Sequence, residues 1–390
     1  MFLSRVICCP RLSSRGFGAA LIISCLFLGS TTTGCSNAGV SDDSAASAEI
    51  SVSLELLTTI GCADCDDARQ ITPTVIALLN DGRLAVLDRY EPFVRVFAPD
   101  GEPETSFGSP GQGPGELGND MGGMYLPGVY LLPWPGGELS VVELMPAVIE
   151  TFAPDGTFLH RETLELPFSA LGAQAFAPRT GTYFRHSYIP VSDLPDVIER
   201  CVINVAGGSD CGQLTTATTL TGTAPEGFRA TLSTAVTPQG ELVVADAATY
   251  RLWVLNDTGT VVRRFGRDIP LPLKSEVELE AERSANRERV EAGRPEREIA
   301  PHRAHIAAAG LQVDGAGRIW VLTQRYTSDT WVFDVLDADG TFLNEVSIDA
   351  LTRPDGYQVT PFVVAGDRLA AISNQPDGSA RINVYRVVES

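Results

Sequence analysis

A five-residue turn recurs along this chain at regular intervals. Residues 97–101 and 152–156 both read Phe-Ala-Pro-Asp-Gly, and looser copies stand at 255–259 and 336–340. The first interval is 55 residues, and the next spans 103, which is two periods of about 51 with a weak unit near 204–208 between them. The last interval, of 81 residues, is one period plus an insertion. A further apolar run near the C-terminus brings the number of units to six.

A second pattern repeats with the same period. It consists of a turn glycine, an alternation of apolar residues and then a carboxylate, and it begins at Gly82, Gly137 and Gly240. Alternation over five or six residues between turn residues indicates a β-strand. Strands repeated about every 50 residues, roughly four to a unit, are typical of β-propellers. The sequence therefore predicts an all-β fold, a six-bladed β-propeller.

The last unit is one strand shorter than the others. Apolar runs at 362–364, 369–372 and 382–388 provide three strands, and the chain then stops. Residues 50–57, in which Ile, Val and Leu alternate with polar side chains, precede the first full unit. Pairing them with the last blade removes exposed strand edges. We expect residues 50–390 to form one propeller domain that the N-terminal strand closes.

The N-terminus has the pattern of an export signal. Three arginines precede an apolar run at 19–28 that is too short to span a bilayer. Thr-Thr-Gly and Cys35 follow, which resembles the lipobox of bacterial lipoproteins, where the cysteine is acylated. The resemblance implies a signal peptide at 1–34 and a lipidated tether at 35–49, and Ser36 resembles the residue that directs sorting to the outer membrane of the cell envelope. A plain secretory signal is the alternative.

Four cysteines remain beyond the lipidation site: Cys62, Cys65, Cys201 and Cys211. An oxidising compartment favours disulfides, and four cysteines allow three pairings. A hairpin turned between Cys201 and Cys211 would place them opposite each other within bridging distance. Cys62 and Cys65 have the spacing of a redox or zinc motif, but the surrounding sequence lacks the helix start or further ligands that such sites need. A structural disulfide is therefore the favoured interpretation of Cys62 and Cys65.

The charge of the chain limits its partners. The formal net charge is −20, and it becomes −23 when the three signal arginines are removed. Such a surface repels nucleic acid and anionic lipid head groups. We expect a monomer that touches the membrane through its lipid anchor only and binds a protein or a small ligand.

Residues 108–117, between the first and second units, are rich in glycine and end in Gly-Glu-Leu. This segment resembles the Gly-rich stretch of NHL-type propellers, and residues 244–255 follow the register of the NHL strand pair. The resemblance extends from residue 50 to the C-terminus and is strongest to exported bacterial six-bladed propellers of unassigned role. It implies the fold and no activity.

Propeller geometry sorts the loops into two faces. If each blade runs from inner to outer strand, the connections between second and third strands and those between blades open on one face, here named the loop face. The repeated turns lie on the opposite face, here named the turn face. Loop length varies on the loop face, so we expect a ligand there. The candidate residues are Asp88, Arg89, Glu143, His186, Asp246, Arg251 and Arg325.

A charged insertion at about 268–300 falls on the loop face. Ser275 and Glu278 form a capping box, and Glu276 to Glu291 contain neither Gly nor Pro, which predicts a helix that Gly293 ends. The insertion is either a lid or partner-binding helix over the central opening, or a solvated excursion braced on the rim. The apolar stripe of this helix consists of Val277, Ala281, Ala285 and Val290.

A metal-dependent hydrolase or lyase is the alternative to a binding module. Zinc would use His186, His302 and His305, because three histidines are the minimum for that chemistry. A calcium site would use carboxylates and an amide near the axis. Its candidates are Asp88, Glu143, Asp246 and Asn374. The alternative is that such carboxylates cap strand ends and pair with arginine, as we expect of Asp246 and Arg251.

No catalytic triad, P-loop or dinucleotide motif occurs in the sequence. The sequence therefore favours a lipid-anchored, extracytoplasmic binding module that needs no cofactor.

Overall fold

The computed structural model describes residues 51–61, 70–90, 93–118, 129–144, 147–163, 174–177, 180–187, 197–203, 209–221, 232–325, 327, 330–349, 362–374 and 379–390. The predicted signal peptide and tether lie outside these ranges, as do Cys35, Cys62 and Cys65. Among the described residues, no helix is long and apolar enough to cross a membrane.

Six four-stranded antiparallel sheets form the blades. The described chain begins with β1 (Val52–Ile60). Blade 1 contains β2 (Pro73–Leu78), β3 (Leu84–Asp88), β4 (Val94–Phe97) and β5 (Pro103–Phe107). The short parallel strands β6 (Ser109–Pro110) and β7 (Glu116–Leu117) follow. Blade 2 contains β8 (Val129–Pro133), β9 (Leu139–Leu144), β10 (Ala147–Phe152) and β11 (Phe158–Thr163). Blade 3 contains β12 (Gln174–Ala177), β13 (Thr182–Ser187), β14 (Val197–Ile203) and β15 (Ser209–Thr216), followed by α1 (Ala217–Thr221).

The second half of the chain repeats this plan around the insertion. Blade 4 contains β16 (Leu232–Val236), β17 (Leu242–Asp246), β18 (Arg251–Leu255) and β19 (Val261–Gly266). The helix α2 (Glu276–Glu291) precedes blade 5, which contains β20 (Ile306–Val313), β21 (Ile319–Thr323), β22 (Thr330–Leu336) and β23 (Phe342–Asp349). Blade 6 contains β24 (Phe362–Ala365), β25 (Arg368–Asn374) and β26 (Ala380–Glu389).

The N-terminal strand completes blade 6, as the sequence predicted. β1 pairs antiparallel with β26, from Val52 opposite Glu389 to Ile60 opposite Ile382. The strand order of this sheet is β1, β26, β25, β24, so the first strand of the chain is the outermost strand of the last blade. The ring is thus closed by hydrogen bonds between the two ends of the propeller.

The repeated turn joins the third and fourth strands and has the same hydrogen bonds in all four copies. In the first copy, the Gly101 N–H donates to Ala98 O and the Ala98 N–H donates to Glu102 O. The turn glycines have positive φ, which favours glycine, and φ is 87° at Gly340. A Cβ at Gly340 would lie 2.2 Å from the ring of Phe265 on the outer strand of the preceding blade. The motif is therefore scaffold that packs one blade on the next.

The apolar core consists of six clusters, one at each interface between neighbouring blades. Trp331 and Phe362 are fully buried between blades 5 and 6, and Phe93 and Phe152 are buried between blades 1 and 2. Burial of each such side chain stabilises the fold by on the order of 2 kcal/mol, because it removes apolar surface from water. Closure therefore matters, because an open ring would expose one entire cluster.

Blade 3 carries a disulfide between Cys201 and Cys211, which stand opposite each other in β14 and β15. This is the short-range pair that the sequence predicted. A disulfide is consistent with an extracytoplasmic location, since thiols stay reduced in the cytosol.

Candidate functional site

The strand order places the predicted ligand residues on the loop face. Asp88 ends β3, Glu143 lies near the end of β9, and Asp246 ends β17, so each occupies the loop-face end of a second strand. Arg325 follows the second strand of blade 5. The side chain of His186 lies outside the described residues. The remaining candidates thus lie on one face, but most of their side chains form hydrogen bonds or ion pairs with other residues of the protein.

Two of the carboxylates hold their own loops. Asp88 accepts the N–H groups of Thr72 and Tyr90 at 3.2 Å, and burial raises the pKa of Asp88 against these hydrogen bonds. Asp246 accepts the Ala248 N–H at 3.0 Å and the Thr249 hydroxyl at 2.6 Å. Such contacts are those of strand-end turns.

Arg251 corrects one expectation from the sequence. It was expected to pair with Asp246, which is its cross-strand neighbour in β17. Instead its guanidinium pairs with Asp268 at 2.6 Å, on the exposed start of the insertion. The turn contacts of Asp246 occupy both of its oxygens, which leaves Arg251 free to turn outward.

A first buried polar cluster lies under the Gly-rich segment. Glu150, in β10, is 1% exposed, and its ion pair with Arg161 spans 3.2 Å. Burial raises the pKa of Glu150 to about 7 against the opposing effect of Arg161, and Glu143 and Glu116 raise it further.

The Gly-rich segment is held against this cluster by backbone contacts. The Gly118 N–H donates to Glu143 at 2.7 Å, and Arg161 donates to the carbonyl oxygens of Gln112 and Gly113. The segment that carries the NHL resemblance thus covers a group of buried carboxylates.

A second buried polar cluster joins blades 4 and 5. Asp334, in β22, is fully buried and accepts the Tyr250 hydroxyl at 2.6 Å. Arg267 lies 2.6 Å from the same oxygen, and Arg325 pairs with the other one. Arg325 also pairs with Glu345 at 2.6 Å. Arg325 is the only member that the sequence predicted as a site residue, and it acts here as a structural counter-ion.

The histidines do not assemble into a metal site within the described residues. His305 is 7% exposed and packs edge-on against Tyr250, with ring centroids 5.8 Å apart. Burial lowers the pKa of His305. His302 lies in an isolated bridge with Leu273. No group of three or more His, Cys, Asp or Glu side chains among the described residues could hold a metal ion. His186 and Asn374, which belong to the zinc and calcium sets predicted from the sequence, have side chains outside that part of the chain.

The insertion forms the predicted helix with the predicted capping box. The Ser275 hydroxyl accepts the Glu278 N–H, and the Glu278 carboxylate accepts the Ser275 N–H at 2.8 Å. Glu278 also forms an ion pair with Arg303 at 2.6 Å, and Arg303 donates to the Gln324 carbonyl at 3.2 Å. These polar contacts brace the helix on blade 5.

The apolar stripe of α2 does not pack against the propeller. Val277 is 76% exposed and Val290 48% exposed, while Glu278 is the only residue of α2 that is buried. The helix is held by polar contacts on another side, so the stripe points to solvent.

A cavity of about 660 Å³ lies in the central channel, here named the channel cavity. The innermost strands β2, β8, β12, β16, β20 and β24 surround it, and each stands at the end of its sheet. The lining comes from the second halves of these strands and from the turns that follow them, such as those at Asn80, Pro135 and Pro238. The cavity therefore opens toward the turn face. Of the described residues that line it, none belongs to the insertion.

This position differs from the sequence expectation, which placed a ligand on the loop face. No sequence motif marks the cavity, because it is formed by one strand from each of six blades. The only available signal was the repeat itself, since a closed ring of six units must enclose an axis.

Neither a family model nor a curated protein matches the sequence. Among solved structures, a member of the DUF4221 family from Bacteroides vulgatus is similar in fold, with a TM-score of 0.55 and 12% identity over 88% of this chain and 99% of that one. A protein of unknown function from Bacteroides thetaiotaomicron has a TM-score of 0.46 and 12% identity over 87% of this chain and 77% of that one. Virginiamycin B lyase from Staphylococcus aureus has a TM-score of 0.42 and 10% identity over 87% of this chain and 100% of that one.

The similarity to the Bacteroides vulgatus protein supports the fold alone, because sequence identity is low. The chain is a six-bladed β-propeller, and its resemblance to NHL-type propellers stays a prediction.

Proposed function

We propose that this protein is a lipid-anchored, extracytoplasmic binding module that takes a small ligand into the channel cavity. The observation that carries the proposal is the cavity itself, which has a volume of about 660 Å³ inside a closed ring. Pockets for small molecules are concave, mostly apolar and about 300–1,000 Å³ in volume. A pocket of this kind in a rigid scaffold requires little reorganisation on binding.

The proposed location rests on the N-terminal sequence and on the disulfide. The Cys201–Cys211 bond is consistent with an oxidising compartment. The lipid anchor rests on Cys35 alone. Replacing Cys35 with Ser should move the protein from the membrane fraction to the soluble fraction in a bacterial host. A protein that stays soluble with Cys35 intact would overturn the anchor but not the binding function.

Native mass spectrometry of the full chain tests the binding function. The protein is incubated with the small-molecule fraction of a bacterial envelope extract and is compared with a Gln312→Trp variant. Gln312 lines the cavity and is partly exposed, so the larger ring should obstruct the channel without disturbing a packed core. We expect a bound mass on the native protein and none on the variant. Equal adducts on both proteins would overturn the channel as the binding site.

The same incubation separates the binding module from the hydrolase or lyase alternative. A binding module releases its ligand unchanged, whereas an enzyme converts it. Chromatography of the extract before and after incubation therefore decides between them, and a new product formed by the native protein would favour the enzyme.

A further inference from the structure

The channel cavity contains no free charge. Asp314 is the only acidic or basic residue among the described residues that line it. Its carboxylate is fully buried and is held by Arg318 at 2.6 Å and by the Trp320 indole N–H at 3.0 Å. A charged ligand would lose its hydration in this cavity and find no partner of opposite charge. The cavity therefore favours uncharged molecules.

One polar side chain in the cavity lacks a partner. Thr234, in the middle of β16, is 6% exposed, and its hydroxyl makes no hydrogen bond within the described structure. The other two threonines that line the cavity do have partners. Thr237 accepts the Glu241 N–H at 3.1 Å, and Thr180 lies 2.9 Å from the hydroxyl of Thr182. A buried hydroxyl without a partner is unfavourable, so a ligand acceptor placed beside Thr234 would be stabilised.

One side of the cavity is aromatic. Tyr130, Phe176 and Tyr183 line it from blades 2 and 3, while blades 1 and 6 contribute aliphatic side chains. The Phe176 ring is fixed edge-on against Trp134, with centroids 5.1 Å apart. A flat apolar body can pack on such rings at a favourable distance. The innermost strands are also paired on one edge only, so their second edges offer backbone N–H and C=O groups to a ligand.

We propose that the channel cavity binds an uncharged molecule with a flat apolar body and a hydrogen-bond acceptor that receives the Thr234 hydroxyl. This inference rests on the proposed binding function and specifies the chemical class of its ligand. The aromatic side packs against the body of the ligand, and Thr234 fixes its orientation.

Two fluorescent probes with the same naphthalene body test the inference on the full chain. Prodan is neutral and carries a carbonyl acceptor, whereas 8-anilinonaphthalene-1-sulfonate is an anion. We expect Prodan to bind with a blue-shifted emission and the sulfonate to bind at least tenfold more weakly. The Gln312→Trp variant should lose Prodan binding and keep its melting temperature.

The Thr234→Val variant tests the hydroxyl, since valine keeps the shape and removes the donor. We expect its affinity for Prodan to fall about five- to tenfold, the effect of one hydrogen bond. Its melting temperature should stay the same or rise, because no existing bond is lost. Thr323→Val is the matched control: Thr323 is fully buried outside the cavity and donates to Val332 O at 2.9 Å. That variant should melt lower and bind Prodan normally.

The outcomes separate the two proposals. If neither probe binds, or if Gln312→Trp binds as well as the native protein, the channel is not a ligand site and the proposed function fails. If both probes bind equally and Gln312→Trp blocks both, the site stands and the uncharged class is wrong. If Thr234→Val binds Prodan normally, the assignment of Thr234 is wrong.

Discussion

Asp334 in blade 5 and Glu150 in blade 2 occupy the same position of the repeat, yet their surroundings differ. Each lies in a third strand, two residues before the repeated turn, and each stands opposite a valine of the second strand. Both are buried to 1% exposure or less. Asp334 forms ion pairs with two arginines and accepts a tyrosine hydroxyl. Glu150 forms an ion pair with one arginine at 3.2 Å and has two neighbouring glutamates.

The comparison shows that burial alone does not fix the behaviour of a carboxylate. At Asp334 two arginines and a tyrosine hydroxyl contact the carboxylate, and these contacts join blades 4 and 5. At Glu150 burial is the largest cause of the pKa of about 7, Arg161 opposes it and the two glutamates add to it, so the neutral form is favoured below that pH. One repeat position can therefore serve as an inter-blade ion pair or as a titrating group, depending on what the neighbouring strand and loop supply.

Replacing Asp334 with Ala should have the largest effect. Arg267 and Arg325 would lose their shared buried counter-ion, and removal of one partner of a buried pair costs about 3–5 kcal/mol. Urea unfolding at pH 7 measures the loss, and Asp334→Asn, which keeps an acceptor for Tyr250, should lose less. A stability of Asp334→Ala within about 1 kcal/mol of native would contradict the role given to this cluster.

Replacing Tyr250 with Phe should have a smaller effect on the same cluster. The hydroxyl donates to Asp334 at 2.6 Å, and burial raises its pKa, so it stays protonated. We expect a loss of about 1.5–3 kcal/mol, the typical range for a hydrogen bond to a charged acceptor. Tyr90→Phe on an exposed loop is the control and should be neutral. A neutral Tyr250→Phe variant would show that the two arginines suffice.

Glu150→Gln should act in the opposite direction. The pKa of Glu150 rises from 4.5 to about 7 on folding, so the folded state binds more protons than the unfolded state between those values. The contribution of Glu150 to stability is therefore fully present below pH 4.5 and is lost as the pH rises through about 7. Glutamine removes this dependence, and we expect Glu150→Gln to be about 1–2 kcal/mol more stable than native at pH 8.

The pH profile separates this mechanism from a general change in packing. Glu150→Gln should match the native protein near pH 4.5 and exceed it at pH 8. Glu55→Gln, which breaks an exposed pair with Arg386, should leave the profile unchanged. A Glu150→Gln variant that is less stable than native at pH 8 would show that the Arg161 pair outweighs burial.

Glu278→Gln should have the smallest effect, confined to the insertion. The ion pair with Arg303 lowers the pKa of Glu278 to about 2, so its contribution is present above pH 4.5 and is lost as the pH falls toward 2. At pH 7 we expect about 1 kcal/mol less protection of the α2 amides, measured by hydrogen exchange. Glu282→Gln is the control, since Glu282 makes only an exposed pair with Lys274. Exchange of the α2 amides that is the same in Glu278→Gln as in the native protein would contradict the bracing role.

Several features of the fold could be read from the sequence. The repeated turn gave the blade count, the short last unit gave the closing strand, and the pair Ser275 and Glu278 gave the helix start. Each of these depends on residues that are close in sequence or on a period that repeats along it. The disulfide in blade 3 belongs to the same group, because ten residues separate its cysteines.

The contents of the polar clusters could not be read in this way. Tyr250 and Asp334 are 84 residues apart, and Arg251 forms its ion pair with Asp268 rather than with its cross-strand neighbour Asp246. A carboxylate inside an otherwise apolar third strand, such as Asp334, was the one available signal. It indicated a buried charge, but not the blade that would neutralise it.

Local pattern and period thus established the strands, the turns, the closure and the cap, because those follow from backbone preferences and from alternation along the chain. The channel cavity and the two buried carboxylate clusters followed from closing the ring. Closure brings together side chains from different blades, and the charge balance and volume at their contacts depend on distances in space that no stretch of sequence contains.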